Sequence, residues 1–270
     1  MRQSPTKVES DPTFRPRKRF GQHFLVDRRY VERILDALDP RPDDRIVEIG
    51  PGLGALTKPL LDRVGHVTVI EIDRDLAASL AAEFPPERVD LRIADALSFD
   101  FGTLGSRLRV LGNLPYNISS PLLFHLARFQ ASLRDLTLML QKEVVQRMGA
   151  APGTPEYGRL SVMLQVRFRI QRLFVVPPGA FRPPPKVESA VARLTPLGPG
   201  APPIADDALF ARVVAAAFGQ RRKTMRNALK ALATESELEA QGIDPGARGE
   251  TLAVDDFVRL ANALAVREPR

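Results

Sequence analysis

The sequence predicts an α/β fold followed by a small all-helical domain, and three observations predict it. Short apolar runs alternate with helical patterns from Arg45 to Leu140. The first four of these runs end beside a glycine, an acid or an asparagine. After about residue 205 the strand pattern stops and every apolar stripe has helical spacing. Such alternation is the mark of a mostly parallel, Rossmann-like sheet covered by helices on both faces.

The elements follow in order. Residues 1–13 are polar, contain Pro5 and Pro12, and read as a loose tail. Tyr30, Val31, Ile34, Leu35 and Leu38 share one stripe and predict a helix over 28–38. Arg45–Ile49 reads as a strand, followed by a glycine loop and a helix from about Ala55. Val67–Ile72 is the second strand and Asp75–Glu83 a helix. Val89, Leu91 and Ile93 alternate as a third strand, Leu108–Leu111 is a fourth that runs into Asn113, and Leu136–Leu140 is a fifth. Phe168–Val176 and Val187–Leu194 complete seven strands. Only the proline-rich stretch 177–186 separates these two, too little for a crossover helix, so they pair antiparallel and the last strand runs against the rest. Pro196, Pro199, Pro202 and Pro203 mark a linker. Beyond it Phe210, Val213, Val214 and Ala217 form one stripe, Leu229 and Leu232 another, and Phe257, Leu260 and Leu264 the last. The domains are therefore 14–196 and 205–270.

Composition narrows the chemistry. The 270 residues include no cysteine, which removes disulfides, cysteine-ligated metal and any thiolate nucleophile, and suits a reducing cytoplasm. The N-terminus is polar and charged without a signal-peptide core, and no apolar run nears the ~20 residues of a membrane helix. Lysine and arginine exceed aspartate and glutamate by 39 to 32, a net charge of +7. The placement of that excess is more telling. Arg15, Arg17, Lys18, Arg19, Arg28 and Arg29 crowd residues 14–30 against Asp27 alone. Arg212, Arg221, Arg222, Lys223, Arg226 and Lys230 fill residues 211–230 with no acid. Each cluster is either a solvated face or a surface for a phosphate backbone.

The segment Glu48-Ile-Gly-Pro-Gly-Leu-Gly54 joins a strand to a helix with G-x-G-x-G spacing. Dinucleotide loops use G-x-G-x-x-G to cradle a pyrophosphate at a helix N-terminus. S-adenosyl-L-methionine carries no phosphate, so its loop has only to clear the ribose and methionine. Glu71 ends the second strand, where an acid can accept hydrogen bonds from both ribose hydroxyls; Asp73 is its competitor. Asp95 ends the third strand, where a carboxylate can accept from an adenine amine. Ligands of open α/β sheets bind at these carboxyl ends.

The fourth strand leads into Gly112-Asn-Leu-Pro-Tyr-Asn117. An aromatic exocyclic amine is a poor nucleophile because its lone pair is delocalised into the ring. A side-chain amide oxygen and a backbone carbonyl can each accept one amine hydrogen and favour a more tetrahedral nitrogen. Asn113 supplies the amide oxygen, Pro115 holds Leu114 extended, and Tyr116 can stack on a base. Positioning of two bound reactants can itself lower a barrier by roughly 7–11 kcal/mol. A sulfonium methyl is already a strong electrophile, so this reading needs no metal.

These residues, together with Phe20-Gly-Gln-His-Phe-Leu25, Phe181-Arg-Pro-Pro-Pro-Lys-Val-Glu-Ser189, Gln220-Arg-Arg-Lys-Thr-Met-Arg-Asn227 and Gly242-Ile-Asp-Pro245, give the chain a resemblance over nearly its whole length. It resembles the KsgA/RsmA family of ribosomal RNA adenine N6-dimethyltransferases, whose sheet is the seven-stranded class I methyltransferase sheet. The resemblance implies that His23 and Leu25 line the cofactor pocket, where many relatives have Asn at the place of His23. It implies that Gly50, Gly52, Glu71, Asp95, Ala96 and Asn113 contact S-adenosyl-L-methionine. Asn113 and Leu114 would act on the amine, and Tyr116 and Phe181 would sandwich a flipped adenine; by itself Phe181 reads as a core residue. The implied substrate is a pair of adjacent adenines in the 3′-terminal hairpin loop of 16S rRNA, in the small subunit or its precursor, dimethylated by a cytoplasmic monomer. Arg17, Lys18, Arg221, Arg222, Lys223 and Arg226 would help dock that RNA.

Two alternatives share the fold. One is a macrolide-resistance-type adenine methyltransferase acting on 23S rRNA, which shares the Asn-x-Pro-Tyr loop; the run Arg221–Asn227 and the helical tail favour the small subunit. The other is a binding-only assembly or transcription factor, which would have no physical need of Glu71, Asp95, Asn113 and Tyr116.

Overall fold

The computed structural model describes residues 22–220 and 222–266. Arg17, Lys18 and Arg221, and the tail 1–13, lie outside them. The described chain forms two compact units. One comprises the residues up to Val145 and Ile170–Pro196; the other comprises Gln146–Arg169 and the residues from Leu197 onward.

The first unit is built on a sheet of seven strands. A short strand β1 (Phe24–Leu25) precedes α1 (Arg28–Leu38). Then come β2 (Arg45–Ile49), α2 (Thr57–Val64), β3 (Val67–Glu71), α3 (Arg74–Glu83), β4 (Val89–Ile93), β5 (Leu108–Asn113), α4 (Ser119–Ala127), β6 (Leu133–Gln141) and α5 (Lys142–Met148). After α6 (Arg159–Gln165) the sheet is completed by β7 (Phe168–Val176), and by β9 (Ser189–Pro196) beyond the two-residue β8 (Phe181–Arg182). The sheet order is β4-β3-β2-β5-β6-β9-β7. Neighbours from β4 through to β6 are parallel, and β9 runs antiparallel to β6, as the strand pattern predicts. Residues 46–49 of β2 and 108–112 of β5 are buried throughout, which is what strands covered on both faces require. β1 and β8 pair antiparallel in a separate two-stranded ladder, Phe24 opposite Arg182 and Leu25 opposite Phe181.

At the amino ends of β5 and β6 the Arg109 guanidinium is buried, and all five of its N–H donors are used. Nε and Nη2 grip Asp135 at 3.0 and 2.8 Å, and Nη1 donates to Asp44 at 2.6 Å. The remaining two donate to the carbonyls of Leu38 and Asp39, at the end of α1. Arg134 reaches the other oxygen of Asp44. This ties α1, the loop into β2, β5 and β6 together beneath the sheet.

The second unit is helical, apart from the first residues of β7. α6 supplies Val162, and α7 (Asp207–Gly219) buries Phe210, Val213, Val214 and Ala217, the stripe that its spacing predicts. Asp206 caps α7 by accepting from the N–H groups of Ala208 and Leu209. α8 (Met225–Ala228), α9 (Glu235–Ala240) and α10 (Val254–Ala265) complete the unit, with Phe257, Leu260 and Leu264 in the same core. Residues 146–169 join it although they lie inside 14–196; Tyr157 donates its buried hydroxyl to the Leu252 carbonyl at 3.0 Å.

Arg109→Met leaves the buried Asp135 without its cation and Asp44 with Arg134 alone, so it should lower stability by about 3–5 kcal/mol in urea denaturation. A loss below ~1 kcal/mol would class the cluster with surface ion pairs.

Candidate active site

Strand order reverses at β2: the chain steps outward through β3 and β4, then returns to lay β5 on the other side. A cavity opens at the carboxyl ends of these strands, where such sheets bind ligands. His23, Leu25, Gly50, Gly52, Glu71, Asp95, Ala96, Asn113, Leu114 and Tyr116, named from the sequence, all line it. Phe181 does not; it is fully buried (0% exposed) in the core of the sheet unit.

The glycine loop is held close to its surroundings. Gly52 has φ +60°, and a Cβ there would come within 3.0 Å of the Phe24 ring. Its N–H points to Glu71 Oε2 at 3.4 Å, while Glu71 Oε1 accepts from the Asp73 N–H at 2.9 Å. Burial pushes the Glu71 carboxyl up, against the backbone donors of Asp73, Gly52 and Ile72. Asp73 is a different kind of residue: it caps α3 through the Asp75 N–H and accepts from Gln22. Its absence from the cavity wall leaves Glu71 as the acid at the strand end. Asp95 is exposed, with one oxygen accepting from the Leu97 N–H at 2.9 Å.

The loop 112–117 is fixed at three points. Leu114 N–H donates to the Met139 carbonyl of β6 at 3.0 Å. Asn113 Nδ2 donates to the His23 carbonyl at 2.9 Å. That acceptor settles which amide atom is which, because a carbonyl takes only a donor, and it leaves Oδ1 as the acceptor of the side chain. Tyr116 shares a hydrogen bond with Ser189 Oγ at 2.7 Å, and burial pushes its hydroxyl up. Gly112 permits the close strand contact: a Cβ there would meet the Ile49 carbonyl and the Leu114 side chain at 2.9 Å.

Two wall residues were not singled out from the sequence. Ile72 is 46% exposed at the end of β3, a large apolar side chain left uncovered beside Glu71. Glu48 is 1% exposed on β2 and accepts from Thr57 Oγ1 at 2.7 Å. Burial raises its carboxyl to about 7, opposed by the Thr57 hydroxyl and aided by Glu71.

The electrostatics of the cavity oppose those of the chain. Glu48, Glu71 and Asp95 line it, and among the described residues no lysine or arginine does. A phosphate would find no cation here, whereas a sulfonium with an ammonium group suits three carboxyl groups. Among the described residues no cluster of three or more His, Cys, Asp or Glu is placed to hold a metal ion.

The fold and this cavity together define a class I methyltransferase that uses S-adenosyl-L-methionine. A family model described as ribosomal RNA adenine dimethylase matches residues 13–266, and the chain belongs to that family. It is 60% identical to the ribosomal RNA small subunit methyltransferase A of Aromatoleum aromaticum, over 95% of this chain and 97% of that one. It is 58% identical to the protein of the same name from Thiobacillus denitrificans, over 93% and 99%. Among solved structures it is similar to the 23S rRNA methyltransferase ErmE, with 28% identity, a TM-score of 0.65 and coverage of 89% and 99%. A dimethyladenosine transferase from Plasmodium falciparum shares the fold, at 24% identity and a TM-score of 0.71 over 86% and 93%.

The folded state holds the Glu48 proton more tightly than an unfolded chain with the ordinary value of 4.5. This contribution favours folding at acid pH and is lost as pH rises from about 4.5 through about 7. Glu48→Gln should therefore flatten that stretch of the stability–pH curve in urea denaturation. An unchanged slope would place the titration elsewhere.

Proposed function

We propose that this chain dimethylates N6 of two adjacent adenines in the 3′-terminal hairpin loop of 16S rRNA, acting as a cytoplasmic monomer on the small subunit or its precursor. The observation that carries the chemistry is the Asn113 amide, whose nitrogen is committed to the His23 carbonyl. Its Oδ1 and the Leu114 carbonyl are the two acceptors for the amine hydrogens. They hold the nitrogen and direct its lone pair, and each transfer releases one N6 proton. When bound, S-adenosyl-L-methionine supplies a methyl group on a positively charged sulfur. Gly50 and Gly52 give its ribose and methionine room, Glu71 takes the ribose hydroxyls, and Asp95 takes the adenine amine with Ala96 beside it. Ile72 offers an apolar face to the adenine ring, and His23 and Leu25 close the pocket.

Tyr116 is the platform for the target base, and base–aromatic stacking of about 1–3 kcal/mol offsets the few kcal/mol of unstacking. The resemblance pairs it with Phe181, whose ring would have to leave the core to meet a base. The small-subunit target is supported by the name shared by relatives at 58–60% identity, against 28% for the large-subunit enzyme. Arg222, Lys223 and Arg226 are exposed and suit RNA phosphates, although Arg226 also lies 3.3 Å from Glu235. Arg17, Lys18 and Arg221 belong to the same assignment on sequence grounds. No helix among the described residues is long and apolar enough to cross a membrane.

Purified protein should transfer tritiated methyl groups to immature small subunits; labelling only of large-subunit RNA or of DNA would refute the assignment. Asn113→Ala should slow transfer by about 100-fold with cofactor affinity little changed. Charge reversal at Arg222 and Lys223 should weaken subunit binding and lower its log–log salt slope by about 1 for each phosphate left without its cation. An unchanged slope would make that patch an ordinary solvated face.

A further inference from the structure

His23 occupies an unusual place in the site. It lies one step beyond the β1–β8 ladder, in which Phe24 faces Arg182, so its opposite number is Pro183. Proline has no N–H with which to continue that ladder. The imidazole continues it instead: His23 Nδ1 lies 2.8 Å from the Pro183 carbonyl, and since a carbonyl can only accept, Nδ1 is the donor. The main chain of His23 turns the other way, its carbonyl accepting from Asn113 Nδ2 at 2.9 Å. The ring meanwhile lies on Tyr116, with centroids 5.6 Å apart and planes 28° apart. Tyr116 is thus held at its hydroxyl by Ser189 and on one face by His23. Phe181, the other aromatic expected there, is packed in the core.

We propose that His23 is a positioning residue for methyl transfer: its ring fixes Tyr116 and its carbonyl fixes Asn113, so that the base platform and the amine acceptor are set as one unit. An asparagine at this place can still donate to the Pro183 carbonyl, since its amide nitrogen stands where imidazole Nδ1 stands, but it brings no ring. Histidine therefore adds the contact with Tyr116 specifically. The inference rests on the assignment of Asn113 and Tyr116 to the reaction.

The test is a double-mutant cycle on single-turnover methylation of immature small subunits at saturating cofactor, using His23→Asn and Tyr116→Leu. His23→Asn should slow transfer about tenfold in the native background and have no further effect beside Tyr116→Leu. Its affinity for S-adenosyl-L-methionine, measured by calorimetry, should stay within about threefold. His23→Phe, which keeps a ring but loses the donor to the Pro183 carbonyl, should slow transfer less than His23→Asn does. The chain has three tyrosines, Tyr30, Tyr116 and Tyr157, so ring NMR signals give a readout independent of activity. Only those of Tyr116 should shift and broaden in His23→Asn. Equal slowing in both backgrounds, or weaker cofactor binding with an unchanged rate, overturns the proposal, as do unmoved Tyr116 signals. If the native protein fails to methylate the subunits, the functional assignment falls, and the NMR comparison still decides whether His23 holds Tyr116.

Discussion

The parallel register of β2 with its two neighbours sets Ile49 opposite Ile70 on one side and Gly112 on the other. The residues that follow are Gly50, Glu71 and Asn113, so three sequence-distant groups leave the sheet at one height. Nothing at the cavity could be moved alone. A slip of one residue in β5 would carry Asn113 away from the His23 carbonyl and turn alternate side chains to the wrong face. At the far end of the same strands, Arg109 joins β5 to β6 and to the carboxyl end of α1. The register is thus held from below by a buried charge cluster and sets the cavity wall above.

Charge is sorted within the molecule. The chain carries a net +7, yet the cavity wall has carboxyl groups and no lysine or arginine among the described residues. Burial raises both Glu48 and Glu71; the Glu71 carboxylate raises Glu48 further, and Asp73 does the same to Glu71. Keeping such groups together without a cation is unfavourable for folding alone. It makes sense where a cationic ligand completes the site. Away from the cavity, basic side chains such as Arg222 and Lys223 are exposed, which suits long-range attraction of a polyanion.

Much of this was legible in the sequence, for identifiable reasons. The sheet strands are apolar runs bounded by turn residues, and the glycine loop, Glu71, Asp95 and Asn113–Tyr116 sit at strand ends. By itself Phe181 reads as a core residue, and the structure finds it buried there; its place in a base sandwich came from the resemblance alone. Other features left no local trace. β1 and β8 are two residues each, too short to show a period. α4 is apolar on most sides, with Leu122, Leu123, Leu126 and Ala127 buried, so it has no polar face to reveal its pitch. β6 extends beyond its apolar centre because Asp135 is paired inside with Arg109. Glu71 is preferred to Asp73 from its place nearer the strand end, but the capping role of Asp73 left no trace in the spacing. The contact of His23 with Tyr116 depends on a ladder between distant segments, which no spacing rule encodes.

The carboxyl-lined wall also bears on how one active centre can work repeatedly on the same RNA. Transfer turns a sulfonium into a neutral thioether, so the spent cofactor carries one positive charge fewer than the fresh one. A wall lined by carboxyl groups, and by no lysine or arginine among the described residues, favours the first over the second. Exchange is then biased by the reaction itself. An adenine that takes two methyl groups calls for a fresh cofactor between them, and a cavity that tells reactant from product by charge makes the first round clear the way for the second.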